Sequence, residues 1–429
     1  MKLKRHLLIF LSIIFLLFSC SDDKYPAGYT YPDLNPGTKG ELLEYEKVTT
    51  MSKTDIQNFL QKAADSFQSE DGEDGINMFS ILGMLKNGVT IYKAFYTSES
   101  DGEPIVLSGL VLAPDIDSSF TQYQYHHGTL LPYEIDDVGG LLDAPSQFEG
   151  KVPEGMKEQI ETMFFCLIPA ANGYFVSAPD YPGYGISAYE EHPYCYPPDL
   201  DRTSADMVKA SQELADKISL ELNGKTFLTG VSEGGLVSLI THRFIDNERP
   251  STNVVASFNY AGPYNLSRFF QEFITADGPL PALNLYNWAL YSYWKRNQSL
   301  FENDIWIYEV KDQEDALDVP SQNPGAILNH EFINSVMSDS SELVNEINKI
   351  DIYSNWEYKG KIFLHHGKDD QTVPAYNTED AYQYLLDNGA NVEKYLYEGN
   401  HQTAIFNFFS NMTSDLRYMD NLQYYASEY

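Results

Sequence analysis

The chain has 429 residues, with 28 Lys and Arg against 62 Asp and Glu, which gives a formal net charge of -34. Nucleic-acid binding needs cations that displace phosphate counterions, and electrostatic docking on an anionic lipid surface needs a basic patch, so this composition argues against both. Hydrophobic residues make up 43% of the chain and charged residues 21%, which excludes disorder along the whole chain. The length allows two or three small domains, but large α/β folds often use this much chain in one unit.

The N-terminus is predicted to be an export signal. Two lysines and an arginine precede an apolar run over residues 7–18, which is too short to span a bilayer comfortably. The run ends in Leu-Phe-Ser-Cys20, a pattern that resembles the lipobox of bacterial lipoproteins. The resemblance implies that residues 1–19 are a lipoprotein signal peptide and that Cys20 is lipidated. A plain secretory signal followed by a chance cysteine is the alternative.

Residues 20–40 are predicted to form a lipid-anchored tether, because the stretch is rich in Pro, Gly and polar residues. Two or more acyl chains on Cys20 would anchor the protein durably, and no other membrane contact is expected. The acidic Ser21-Asp22-Asp23 resembles the surface-export signal of some Gram-negative lipoproteins. We therefore expect a location in the cell envelope, with the outer membrane favoured and both the periplasm and the cell surface left open.

Cys166 and Cys195 are the only other cysteines. An exported compartment permits a disulfide, and two cysteines allow one pairing. A Cys166–Cys195 bridge and a pair of buried thiols are both compatible with the sequence.

The body of the chain is predicted to open with a helix over residues 55–67 and an antiparallel meander of three strands over 89–96, 105–112 and 121–125. Strands and helices then alternate. Further strands are predicted over 174–178, 226–229, 254–260, 362–365 and 394–397, and helices over 156–171, 203–223, 236–246, 378–388 and from about 403. Thr203 and Gly224 are the predicted N-cap and stop of the second of these helices. This alternation predicts a mostly parallel sheet with helices on both faces.

The sharpest motif is Gly230-Val-Ser232-Glu233-Gly234, which lies between a predicted strand and a predicted helix. A nucleophile elbow requires this setting, because an immediate strand-to-helix turn strains the backbone and lifts the serine hydroxyl above the sheet. Glycines are needed at 230 and 234, where side chains would collide with neighbouring backbone. We therefore predict Ser232 as a nucleophile.

A serine nucleophile needs a base, and the base needs an orienting carboxylate. The strand over 362–365 leads into His-Gly-Lys-Asp369-Asp370 ahead of Val-Pro, which resembles the acid loop of α/β-hydrolases. The resemblance implies Asp370 as the acid, with Asp369 as the alternative. His401 follows the last predicted strand, where this fold keeps its base, and the order Ser232, Asp370, His401 matches that fold.

The oxyanion hole of such a site needs two backbone N–H groups. One is expected from Glu233, the residue after the nucleophile, and the other from Thr129, which follows a His-Gly element after the third strand. A turn at Asp180 resembles one found beside the active site of many α/β-hydrolases. Its Tyr181 and Tyr184 are either structural or border the pocket. The remaining histidines, His192 and His366 among them, carry no predicted role.

Together these motifs resemble the α/β-hydrolase superfamily from about residue 89 to the end. Three stretches resemble its secretory lipase and esterase branch: residues 92–114, the Asp180 turn followed by His192-Pro193, and the Ser-Glu-Gly-Gly elbow. The resemblance implies an eight-stranded, mostly parallel sheet with a core formed by residues 41–266 and 356–429. Residues 267–355 are expected to form a helical cap whose many aromatic residues either pack on the core or line an apolar pocket.

The implied activity is hydrolysis of small carboxylic esters through an acyl-enzyme, with no metal and no cofactor. Two other functions remain open. One is a serine peptidase acting on short peptides, although no upstream propeller that could gate peptides is evident. The other is a non-catalytic binding lipoprotein on a hydrolase scaffold.

Overall fold

The computed structural model describes residues 39–67, 85–132, 143–151, 159–300, 304–338, 340–350 and 352–426. The predicted signal peptide, Cys20 and nearly all of the predicted tether lie outside these residues. Among the described helices, none is long and apolar enough to cross a membrane.

One mixed sheet runs through the described chain, with nine strands rather than the predicted eight. Its order is β1-β2-β3-β5-β4-β6-β7-β8-β9. The strands are β1 (Leu42–Met51), β2 (Val89–Ser100), β3 (Glu103–Pro114), β4 (Ser119–His126), β5 (Phe175–Pro179), β6 (Glu221–Val231), β7 (Val254–Tyr260), β8 (Lys361–Gly367) and β9 (Val392–Tyr397). The unpredicted strand is β1, an edge strand that is largely solvent-exposed and therefore lacks the apolar pattern of a buried strand.

The predicted antiparallel meander is wrong in its third strand. β1, β2 and β3 do pair antiparallel, but β5 rather than β4 lies beside β3. β4 is parallel to both β5 and β6. Almost every residue of β4 is buried, which is what a central strand between two partners requires.

Helices cover both faces of the sheet. They are α1 (Lys53–Phe67), α2 (Ile160–Thr162 and Ile168–Ala171 around the π-helical Met163–Leu167), α3 (Pro197–Lys217), α4 (Glu233–Glu248), α10 (Tyr376–Asp387) and α11 (Ile405–Ala426). Between β7 and β8 lie α5 (Leu266–Ile274), α6 (Leu283–Arg296), α7 (Gln313–Leu317), α8 (His330–Met337) and α9 (Glu342–Lys349).

Helix α3 lies six residues before its predicted position at both ends. It begins at Pro197, since proline suits the first helical turn, and Thr203 lies inside it with its hydroxyl donating to the carbonyl of Asp199. The helix ends before Ser219, whose φ is +60°. Gly224, the predicted stop, lies in β6.

Of the two alternatives left open for the cysteines, the structure has the pair of buried thiols, since Cys166 and Cys195 are both free. Cys166 packs in the apolar cluster that contains Phe363, whereas Cys195 packs in the cluster that contains Leu364. Consecutive side chains of β8 point to opposite faces of the sheet, so the sheet separates the two thiols.

Because both thiols are free and buried, we predict that no disulfide contributes to the stability of the fold. A reducing agent should leave the unfolding temperature unchanged, and thiol reagents should modify Cys166 and Cys195 only after unfolding. Differential alkylation followed by peptide mass mapping would test this, and a crosslinked peptide pair containing both residues would contradict it.

Candidate active site

Ser232 occupies the single position between the end of β6 and the start of α4. Its backbone has φ +58° and ψ -120°, a conformation that L-residues rarely adopt. Its N–H donates to the carbonyl of Tyr260 on the adjacent strand at 2.8 Å. The turn therefore holds the serine in a strained conformation at the carboxyl edge of the sheet.

Two glycines make this turn possible. A Cβ atom on Gly230 would lie 1.9 Å from the carbonyl oxygen of Gly234. A Cβ atom on Gly234 would lie 2.0 Å from the carbonyl oxygen of His126 on β4. β6, α4 and β4 thus approach one another too closely to admit any residue other than glycine at 230 or 234.

The structure brings Ser232, His401 and Asp370 together. The Ser232 Oγ lies 3.0 Å from the His401 Nε2, and the His401 Nδ1 lies 2.6 Å from the Asp370 Oδ2. Because Nδ1 faces a carboxylate and carries the proton, Nε2 presents its lone pair to the serine hydroxyl. This is the geometry in which an imidazole can take a serine proton. The alternative acid, Asp369, is exposed, and its N–H donates to the carbonyl of Gly399.

The sequence reading missed a second histidine on the carboxylate of Asp370. The His366 Nε2 lies 3.1 Å from the Asp370 Oδ2 and 2.7 Å from the carbonyl oxygen of Val373. The other carboxylate oxygen of Asp370, Oδ1, accepts from the N–H groups of Thr372 and Val373. The only sequence signal was the i,i+4 spacing of His366 and Asp370.

The environment of Asp370 stabilises its charged form. Burial raises the pKa of this carboxyl, but the hydrogen bonds and the electrostatic attraction of His366 and His401 together outweigh burial and lower the pKa to about 2. The carboxylate is therefore ionised in the folded protein at neutral pH.

Thr129 lies in the segment that follows β4, beside the turn that holds Ser232. His126 at the end of β4 pairs with Gly230 at the end of β6, so the segments that follow them start at the same edge. Two tyrosines of the Asp180 turn hold the segment 127–130 in place through hydrogen bonds from their hydroxyls. Tyr181 donates to the carbonyl of His127, and Tyr184 donates to the carbonyl of Leu130. Both tyrosines are buried and support this segment, and neither lines the pocket beside Ser232.

A small apolar pocket adjoins Ser232, with free space of about 20 Å³, which is room for roughly one water molecule. Its walls include Phe269, Leu285 and Tyr286 from the segment between β7 and β8. The Tyr286 hydroxyl donates to the carbonyl of Thr372 at 2.7 Å. Other aromatic residues of that segment, such as Trp288 and Tyr293, are buried in the core. The segment therefore both packs on the core and forms part of the pocket.

No group of three or more His, Cys, Asp or Glu side chains in the described part of the chain could hold a metal ion.

No protein-family model matches the chain, and no curated protein matches its sequence. Solved structures do resemble it. A proposed hydrolase from Legionella pneumophila is 21% identical with a TM-score of 0.70, and the match covers 89% of this chain and 98% of the other. The rice cell wall degrading esterase LipA from Xanthomonas oryzae is 20% identical with a TM-score of 0.65, covering 89% and 97%. Candida antarctica lipase A in its closed state is 17% identical with a TM-score of 0.60, covering 89% and 83%.

The sheet order, the elbow and these likenesses give the chain an α/β-hydrolase fold. The predicted fold class is thus confirmed, with nine strands in place of eight.

The lowered pKa of Asp370 predicts a pH-dependent contribution to stability. A carboxyl whose folded pKa of about 2 lies below its ordinary value of 3.8 stabilises the fold above about pH 4 and loses this contribution as pH falls toward 2. The free energy of unfolding of wild type should therefore drop by about 2 kcal/mol more than that of Asp370→Asn over this range. Denaturant unfolding at several pH values measures the difference, and parallel curves for the two proteins would contradict it.

Proposed function

We propose that the protein is a serine hydrolase that cleaves carboxylic esters through an acyl-enzyme. The hydrogen-bonded series Ser232, His401 and Asp370 is the observation that carries the proposal, with distances of 3.0 and 2.6 Å. The likeness to an esterase and a lipase with the same fold supports an ester as the substrate.

In the first half of the reaction, the His401 Nε2 takes the proton of the Ser232 hydroxyl as Oγ attacks the ester carbonyl. A tetrahedral intermediate forms with negative charge on the former carbonyl oxygen. When it collapses, the bond to the alcohol oxygen breaks, and the alcohol leaves with the proton from His401. Asp370 keeps the imidazole oriented and stabilises its transient positive charge.

In the second half, His401 takes a proton from water, and the resulting oxygen nucleophile attacks the acyl-serine. Collapse of the second intermediate releases the carboxylic acid, and the proton returns from His401 to Ser232. The backbone N–H groups of Thr129 and Glu233 are the proposed donors to the oxyanion in both halves. The N-terminus of α4 adds a favourable dipole at the same point.

Labelling by a fluorophosphonate probe tests the nucleophile. Wild type should be labelled and should hydrolyse p-nitrophenyl acetate, whereas Ser232→Ala should lose the label and at least about 10³-fold in kcat. Asp370→Asn should reduce kcat by about 10⁴-fold because the imidazole loses its orienting partner. Asp369→Asn is the matched control and should retain activity. Equal labelling of wild type and Ser232→Ala would remove Ser232 from the mechanism.

Labelling and substrate preference also separate the two alternatives, a serine peptidase and a non-catalytic binding protein. A peptidase would cleave aminoacyl anilides faster than p-nitrophenyl esters. A non-catalytic binding protein would be neither labelled nor active although its triad is assembled.

The free space beside Ser232 indicates a short acyl group. We expect kcat/KM to be highest for acetyl esters and to fall with chain length, since a longer chain must displace Leu285 or Tyr286. Leu285→Ala should shift the ratio of octanoate to acetate cleavage upward by about 10-fold. Leu386→Ala, at an exposed leucine on α10, is the control. A wild-type preference for long chains would contradict the size limit.

We also propose that Cys20 carries the lipid anchor, so that the hydrolase works at a bacterial membrane in the cell envelope. The support is the sequence pattern of residues 1–20 alone.

A further inference from the structure

A buried pair of a carboxyl and an imidazole adjoins the proposed nucleophile. Glu233 follows Ser232, and its Oε1 is 2.8 Å from the Nε2 of His192. Both side chains are fully buried. The Oε1 atom also accepts from the N–H of Cys195 at 3.1 Å, so the pair ties the segment before α3 to the start of α4.

The hydrogen-bond partners of His192 determine how many protons the His192–Glu233 pair carries. Its Nδ1 lies 2.8 Å from the carbonyl oxygen of Pro182, which carries no hydrogen, so Nδ1 must donate. The 2.8 Å contact between Nε2 and the Glu233 carboxyl needs a second hydrogen. The pair is either an imidazolium with a carboxylate or a neutral imidazole with a carboxylic acid. Its net charge is zero in both forms.

Beyond the N–H of Cys195, the described neighbouring groups offer Glu233 no positive charge that could replace His192. Burial, with the charge of Glu233 as a further cause, raises the pKa of Tyr181, Tyr184 and Tyr194 well above the ordinary value, so these phenols stay neutral. The pKa of the Cys195 thiol is raised for the same reasons. Among the described residues, His192 is the sole ion-pair partner of Glu233, and Oε2 has no hydrogen-bond partner.

We propose that His192 is a positioning residue that keeps the Glu233 carboxyl neutralised beside the oxyanion site. This rests on the proposed ester hydrolysis, in which the Glu233 N–H stabilises a negatively charged intermediate. A bare carboxylate about one side-chain length from that intermediate would repel it. With an effective dielectric constant of about 20, the repulsion corresponds to roughly 100-fold in rate.

A double-mutant cycle separates this charge effect from loss of packing. His192→Gln can still donate to Glu233 but carries no charge, so kcat should fall about 100-fold with little change in KM. Glu233→Gln alone should reduce kcat less than His192→Gln does. The double variant His192→Gln/Glu233→Gln should recover most of the loss caused by His192→Gln, because the uncompensated carboxylate is gone.

The two proposals fail in different ways. If wild type neither hydrolyses p-nitrophenyl acetate nor reacts with the fluorophosphonate, the proposed function is wrong. If wild type is active but the double variant is as impaired as His192→Gln or worse, His192 acts through packing and this inference is wrong. Thermal unfolding of each variant establishes that it is folded.

A second measurement covers the case in which His192→Gln does not fold. NMR of wild type with ¹⁵N-labelled histidine should show a strongly deshielded proton on the His192–Glu233 hydrogen bond, and this signal should disappear in Glu233→Gln. A pair with no proton between the Nε2 of His192 and the Oε1 of Glu233, which is a carboxylate facing a neutral imidazole, would overturn the inference.

Discussion

The proposed chemistry depends on how closely three backbones approach at the elbow. Ser232 can hold a positive φ only because β6, α4 and β4 meet with no side chain between them. Such a conformation costs on the order of 1–3 kcal/mol and persists only where the surroundings determine it. Tyr260 on β7 contributes at two points: its carbonyl accepts from the N–H of Ser232, and its hydroxyl donates to the carbonyl of His401. One residue thus positions the backbones of both the proposed nucleophile and the proposed base.

The loop that carries Asp370 links the proposed triad to the segment between β7 and β8. The N–H of Thr372 donates to the carboxylate of Asp370, and the carbonyl of the same residue accepts from the hydroxyl of Tyr286. Tyr286 also forms part of the pocket wall. A movement of α6 that widens the pocket would therefore act on the loop that holds the acid. Two successive hydrogen bonds link Tyr286 to Asp370, and a third links Asp370 to His401.

The sequence predicted most of the parallel half of the fold because buried strands and amphipathic helices have distinct periods. It also placed Ser232, Asp370 and His401 at strand ends, which meet at one edge of a parallel sheet. β1 was missed because an exposed edge strand has no apolar pattern. Helix α3 was shifted because Ile218 and Leu222, beyond its end, continue a helical spacing by chance.

The supporting residues of the site could not be found in the same way. His192 and Glu233 are 41 positions apart, and nothing in either local sequence indicates that their side chains meet. His366 lies four residues from Asp370, but a strand end followed by a loop has no fixed i,i+4 geometry. The state of the cysteines stayed open for a related reason, since cysteine counting carries no information on which face of the sheet each thiol occupies.

The net charge of -34 does not conflict with chemistry that develops negative charge. Exposed charges are screened over about 8 Å at physiological ionic strength, whereas buried charges are screened much less. Two buried carboxyls are compensated locally: Asp370 by two histidines and two N–H groups, and Asp180 by the hydroxyl of Ser108 and the N–H of Ser146. The potential at Ser232 is therefore decided by protons and donors within hydrogen-bonding distance. In the proposed mechanism, the partner of Glu233 therefore matters more than the exposed acids of the surface.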